Sequence, residues 1–515
     1  MKRLFQLTLI QILIFTLHVE AQNQNDSLIR FSDLRFHSDF EKEALVNFVK
    51  NKKDTFNLFL AIDEKMTDEE ANQYLKIFNK AFDELSPKAV GAKNLNKKIK
   101  ISYTAIHNQF LTKYNSNEYF PVMFQSGVYN CVSASMLYAI VFDKLAIPYK
   151  VMSSADHVYL VGNPGSNSVV IETTNPNFEK AIFNGDFQQQ YVNYLRTSKL
   201  ISETEYKSKS VEEIFEEKFN EVKSAEFINL PGFQYYNKAL TKLQNNEFEE
   251  GLKLGQKAYF FYPDNQVKTL LHTALLFQID KCNFDNVSDI DYVAQLSRFE
   301  NTDLNAVIGI FNNIIYHKLQ YTNKEAFCDS LYERLSKQLS DKKAIEEISF
   351  AYNMQMSYRY QNTDKVEKYI TKALEIKGNF NDANIIMENY LRQKLFSITD
   401  PKALLDSVNR LEAKYGVYEM SKALLSEYEL IAYLRLAREQ IDQKKLAEGD
   451  KYLLEFENKC KLPVKNQMLN ILIETTYQSA AYNCRIKRDE QKAKNYVDRG
   501  LKYVPNSMII KSAVN

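Results

Sequence analysis

From Pro231 to the end of the chain, apolar residues recur at spacings of three and four with hardly a break. A stretch that long with helical periodicity must fold as many helices packed on one another, because no single helix can bury its apolar stripe alone. The punctuation agrees. The 515 residues hold 13 glycines and 10 prolines, and five of each fall between Pro87 and Gly185. Sandwiches, barrels and propellers need such turn residues throughout. The chain therefore reads as mostly helical, with one mixed segment near its N-terminal end.

That mixed segment covers residues 26–200. Phe40 to Lys50, Asp68 to Leu85 and Lys98 to Lys113 carry helical spacing. Tyr149 to Ser153, Val158 to Gly162 and Ser168 to Thr173 are short, rich in Val and Ile, and bounded by Pro, Gly, Asn or Ser, which predicts strands. Ser202 to Ser224 is charged and lacks Gly and Pro, so residues 201–230 read as a connecting helix. Residues 1–21 read as an export signal. Lys2 and Arg3 precede an uncharged run from Leu4 to Leu17, and Val19-Glu20-Ala21 offers a cleavage site before Gln22. As a helix that run spans about 21 Å, short of the roughly 30 Å hydrocarbon core. The expectation is a periplasmic or secreted protein that meets a membrane only if the signal segment stays uncleaved.

Within residues 231–515 one unit starts at Tyr235, with Ala239, Gly251, Ala258 and Pro263; another holds Tyr477, Ala481, Ala493, Gly500 and Pro505. Aromatic and proline lie 28 residues apart in both. Small residues let two antiparallel helices approach, and the proline stops the second. Weaker copies surround Val366 to Gly378 and Leu446 to Leu453. The pattern resembles the tetratricopeptide repeat family. That resemblance implies an all-α repeat array whose concave surface binds a protein or peptide.

Chemistry centres on Cys131. Ala134, Leu137, Tyr138, Val141 and Leu145 continue a helix from it, and Gly127 and Asn130 form the loop ahead. A cysteine at a helix N-terminus meets unpaired N–H groups and the helix dipole, which favour thiolate. Gln125, six residues upstream, is placed to reach back and form an oxyanion hole with the Cys131 N–H. His157 and Glu172 flank the turn at Asn163-Pro164-Gly165-Ser166-Asn167 at comparable distances, so an antiparallel hairpin makes them neighbours. A carboxylate beside imidazole fixes its tautomer and stabilises the protonated ring. Asn175 is the alternative third member. His107 falls in a helical run before Cys131, Asp156 points to the opposite strand face, and Ser133 and Ser135 read as packing or helix-surface residues.

Residues 120–178 resemble the transglutaminase-like superfamily, a papain-related group with a Cys–His–Asp triad. The resemblance rests on the helix-starting Cys131, on Leu145-Ala146-Ile147-Pro148 where the family often has Leu-Gly-Ile-Pro, on His157, and on the acidic Glu172 in the following strand. It implies Cys131 as nucleophile, His157 as general base and acid, and Glu172 as the residue that orients the ring. Asn130 stands where many members have Gly, Glu172 where Asp is common, and Lys150 where Arg is frequent; the chain has no Trp.

The fold expected is thus α+β: an N-terminal transglutaminase-like domain, then a tetratricopeptide-like array over 231–515. The function expected is exported, thiol-dependent acyl transfer, hydrolytic or to an amine. The alternative is a non-catalytic interaction scaffold carrying a degenerate transglutaminase-like domain. A net charge of +1 gives no reason to expect nucleic acid. No two histidines lie at ligand spacing and no phosphate or dinucleotide fingerprint is present, so no metal or cofactor is expected. Five cysteines leave at least one thiol free in a monomer. Cys460 and Cys484, 24 residues apart, are spaced either to bridge or to stand as two buried thiols.

Overall fold

The computed structural model describes residues 28–51, 55–154, 157–164, 169–174, 201–220, 223–321 and 324–513, with positions 189, 192, 193 and 196 in addition. The 1–21 signal segment, Asp156 and Asn175 lie outside the described residues. The protein is mostly helical with a small sheet, and it divides into two compact units at Thr302/Asp303.

In the first unit, α1 (Asp39–Asn51) and α2 (Thr55–Leu60) precede α3 (Asp68–Val90) and α4 (Leu95–Phe110). Thr67 caps α3 in a reciprocal box with Glu70, and Asn94 caps α4 through the Lys97 N–H. Strand β1 (Lys113–Tyr114) pairs in parallel with β2 (Val128–Tyr129), and α5 (Val122–Ser126) lies between them in sequence. Helix α6 (Cys131–Lys144) is buried on all sides from Cys131 to Phe142. A helix apolar all round belongs at a core. β3 (Tyr149–Ser153) and β4 (Val158–Gly162) pack on α6, as do α2 and α4.

β5 (Val169–Ile171) completes an antiparallel hairpin with β4, with Leu160 opposite Ile171 and Gly162 opposite Val169. The helices at 39–51, 68–90 and 95–110 and strands β3, β4 and β5 fall where periodicity puts them; α2, α5 and β2 have no counterpart in that reading, and two of its bounds change. Lys113, expected at a helix end, begins β1. The stretch expected as one connecting helix is instead α7 (Glu203–Ser208), α8 (Val211–Asn220) and β6 (Lys223–Ala225). β6 pairs antiparallel with β3, Val151 opposite Ala225, giving the sheet order β5-β4-β3-β6. A three-residue edge strand is held by its partner's backbone groups, not by a side-chain pattern of its own.

The helices α9 (Leu230–Gln244), α10 (Phe248–Phe261) and α11 (Asn265–Lys281) follow, with a short helix at Asp291–Leu296 packed on α11, and α9 contacts α6. Gln234 accepts from the Phe120 N–H (2.7 Å) and donates to the Phe59 carbonyl (3.2 Å). Lys257 of α10 meets Glu41 of α1 at 2.6 Å with both side chains sealed from water, and Tyr235 donates to the same carboxylate at 3.0 Å. Burial pulls the Lys257 ammonium below its ordinary value, against the attraction of Glu41.

The second unit is a run of helices joined by short turns, from α12 (Leu304–Tyr321) to α13 (Gln467–Ile486) and α14 (Glu490–Leu501) among others, with sequence neighbours packed side by side. Gly500 carries the close approach read from sequence: a Cβ there would lie 2.8 Å from the Tyr477 Cβ. Gly251 in α10 is the counterpart in the first unit, facing Leu243 and the Ala239 carbonyl of α9. Cys460 and Cys484 are both free thiols, so the bridge weighed for them is not formed.

Candidate active site

Asn130 sets the site. Its backbone is extended, with no demand for glycine; its Oδ1 accepts from the Ser133 N–H (2.8 Å), and its own N–H donates to Ser133 Oγ (2.9 Å). This reciprocal box starts α6 at Cys131. The Asn130 amide also donates to the carbonyls of Ser116 (3.2 Å) and Glu118 (2.7 Å), tying the loop after β1 to the same spot. Ser133, read from sequence as packing or surface, is half of the cap. Ser135 is a buried linker, donating to the Val158 carbonyl (3.3 Å) and lying 3.3 Å from Thr173 Oγ1.

Three hydrogen bonds hold the end of β5 against α6, β2 and α4. Thr173 Oγ1 donates to the Cys131 carbonyl (3.5 Å), Tyr129 Oη to the Thr174 carbonyl (3.1 Å) and Tyr103 Oη to the Glu172 carbonyl (2.9 Å). His157 Nε2 and Glu172 Oε2 lie 2.7 Å apart, both buried. The β4–β5 register sets Glu172 across from Tyr159, so His157 meets it on the diagonal. Glu172 Oε1 accepts from the Thr174 N–H (3.0 Å) and hydroxyl (2.6 Å). Cys131 lies near enough to the ring to help raise its pKa. Imidazole and carboxylate are thus brought together, and Cys131 lines the same cleft as the ring.

Electrostatics follow from the partners. Burial alone would lower the His157 value, but the Glu172 carboxylate and its hydrogen bond, with Cys131 nearby, raise it to about 10. Burial alone would raise Glu172; His157 and Thr174 outweigh it and hold the carboxyl below its ordinary value. Of the other thiols, burial pushes Cys328 and Cys460 up to about 11 and raises Cys282 and Cys484 as well.

Gln125 is not brought to the thiol. Gly127 ends α5 in the left-handed region (φ 73°), where a Cβ would strike Thr112, and turns the chain into β2. The Gln125 amide instead donates to Tyr74 Oη at 2.9 Å, on the exposed side of α5. Tyr114 takes its place beside the sulfur. The β1–β2 register sets it opposite Tyr129, it lines the same cleft as Cys131, and its phenol is raised in pKa, by burial first and then by Cys131 and Glu172. Nothing local in the sequence marks Tyr114, because its approach depends on a parallel pairing of two-residue strands. His107 lies in the core, stacked on Tyr103 and 2.7 Å from Tyr138 Oη, with burial lowering it to about 4.

Cys131 and His157 line a cleft of about 330 Å³ whose other wall is α9 with the start of α11. Elsewhere in the unit His37, Glu64 and Glu250 converge, the one group among the described residues able to hold a cation. Both carboxylates there already meet ammonium groups, Glu64 that of Lys238 (2.9 Å) and Glu250 that of Lys253 (2.8 Å). No helix among the described residues is long and apolar enough to cross a membrane. No protein-family model and no curated protein matches this chain.

Proposed function

We propose that this chain is an exported thiol enzyme of acyl transfer, with a transglutaminase-like N-terminal domain and a tetratricopeptide-like array that binds a protein or peptide. The observation that carries the reading is the buried His157–Glu172 pair, which shares one cleft with Cys131 at the head of α6. In this reading the Cys131 sulfur, its proton already held on His157, attacks an amide or ester carbonyl as thiolate. The oxyanion is met by the Cys131 N–H and the Tyr114 phenol, not by Gln125. His157 gives its proton to the departing amine or alcohol as the carbonyl–leaving-group bond breaks. Water or an amine, deprotonated by the ring, then releases the acyl group from sulfur. Export rests on Lys2, Arg3, the run from Leu4 to Leu17 and the Val19-Glu20-Ala21 site.

The rival reading, a binding scaffold with a degenerate site, draws on Gln125 being turned away toward Tyr74. Alkylation separates the two. With iodoacetamide at pH 6, Cys131 is expected to react at least tenfold faster than a free thiol with pKa near 8.5. Glu172→Gln should slow that reaction by a similar factor. Labelling of Cys131 in the intact protein at the free-thiol rate favours the scaffold.

A further inference from the structure

The cleft wall opposite Cys131 is one stripe of α9: Phe233, Tyr236, Asn237, Leu240, Thr241 and Gln244, at steps of three and four. The stripe carries no charge. None of the seventeen described residues lining the cleft is Asp, Glu, Lys or Arg, although at the chain's 25% charged content about four would be expected. The lysines of α9 are committed elsewhere, Lys238 to Glu64 (2.9 Å) and Lys242 to Glu247 (2.6 Å). What faces the thiol is aromatic surface interleaved with amide and hydroxyl groups. A peptide backbone can exchange hydrogen bonds with such groups, but a charged side chain laid on the α9 stripe finds no Asp, Glu, Lys or Arg among the described lining residues and loses its hydration.

We propose that the cleft takes an extended, uncharged segment of polypeptide laid along this stripe, with its reacting carbonyl at Cys131. The proposal rests on the thiol-enzyme reading and adds the substrate's chemistry to it. From Phe233 to Gln244 the helix rises about 16 Å, the length of about five residues of extended chain. Charge anywhere along that span excludes a substrate, whatever the acyl acceptor.

The test uses the full chain and acetyl-tetrapeptide chloromethyl ketones of the alanine series, with Gln, Glu or Lys next to the terminal alanine. In each, the Cys131 thiolate sulfur bonds to the methylene carbon and chloride leaves, the proton staying on His157. Labelling at pH 6 is followed by intact mass, each rate divided by that of the same probe with N-acetylcysteinamide. The Gln probe is expected to label at least tenfold faster than the Glu and Lys probes. Gln244→Glu, at the exposed C-terminal end of α9, should raise the Lys probe several-fold relative to the Gln probe. Equal normalised rates for all three probes, or a Gln244→Glu variant with unaltered selectivity, overturn the proposal while rapid iodoacetamide labelling leaves the thiol reading standing. Slow labelling by iodoacetamide as well overturns both.

Discussion

Glu172 offers one carboxylate oxygen to the His157 ring and the other to Thr174, so its charge is both buried and fully engaged. The pair's contribution to stability has a definite pH window. The His157 value is raised on folding, so its stabilisation is complete below the unfolded value near 6.5 and is lost as pH rises through about 10. The Glu172 value is lowered, so its stabilisation is present above about 4.5 and is lost as pH falls through the folded value. Removing one partner of such a buried pair costs about 3 kcal/mol. Glu172→Gln should show that loss in unfolding midpoints near pH 5.5, with the difference from the parent protein shrinking toward pH 10. A penalty equal at both pH values would mean that the carboxylate only packs. His157 and Glu172 were legible because a hairpin makes neighbours of residues flanking its turn. Gln125 was misplaced because the left-handed Gly127 reverses the chain between it and Cys131.

Among the elements, the longer helices and the β3–β4–β5 run were legible from period and punctuation, while α2, α5, β1, β2 and β6 were not. Short edge strands owe their place to a neighbour's free backbone groups and carry no pattern. Two small residues show how element geometry outweighs residue type. Ala146 sits at φ 52°, exposed, in the turn from α6 to β3. A Cβ there costs about 1 kcal/mol, so Ala146→Gly should be neutral or slightly stabilising. Gly232 is the reverse case. In α9 an added Cβ would lie 2.6 Å from the Tyr262 Cβ and 3.0 Å from the Ala258 carbonyl, backbone and stem atoms with no room to swing away. Gly232→Ala should therefore lower stability by about 2 kcal/mol. Because Tyr262 lines the cleft, it should also slow Cys131 alkylation, whereas Ala146→Gly leaves that rate alone. Thermal unfolding with iodoacetamide kinetics on the two variants checks both halves. An unchanged rate in Gly232→Ala would free α9 from any part in the site.

At the scale of the whole chain, composition separates a mixed segment from a helical one near residue 230, but compactness divides it at Thr302/Asp303. The difference is physical. Periodicity reports the kind of element, and the elements from α9 to α11 are helices like those that follow. Which core they join is decided by long-range partners that no local window contains. Gln234 satisfies Phe120 and Phe59, Tyr235 and Lys257 satisfy Glu41, and Arg298 pairs with Asp33. Cutting after residue 230 strips Glu41 of both its ammonium and its phenol and exposes the α6 contact of α9. Leaving one buried charge unpaired costs about 3–5 kcal/mol, a large share of the 5–15 kcal/mol that holds a domain folded. A chain ending at residue 302 keeps every one of these bonds. We expect residues 28–302 to unfold cooperatively and to retain rapid Cys131 alkylation at pH 6, and residues 28–230 to show neither a cooperative transition nor selective labelling. Should the shorter fragment fold and react as well as the longer, α9 would be an attachment to the thiol domain and not one of its walls.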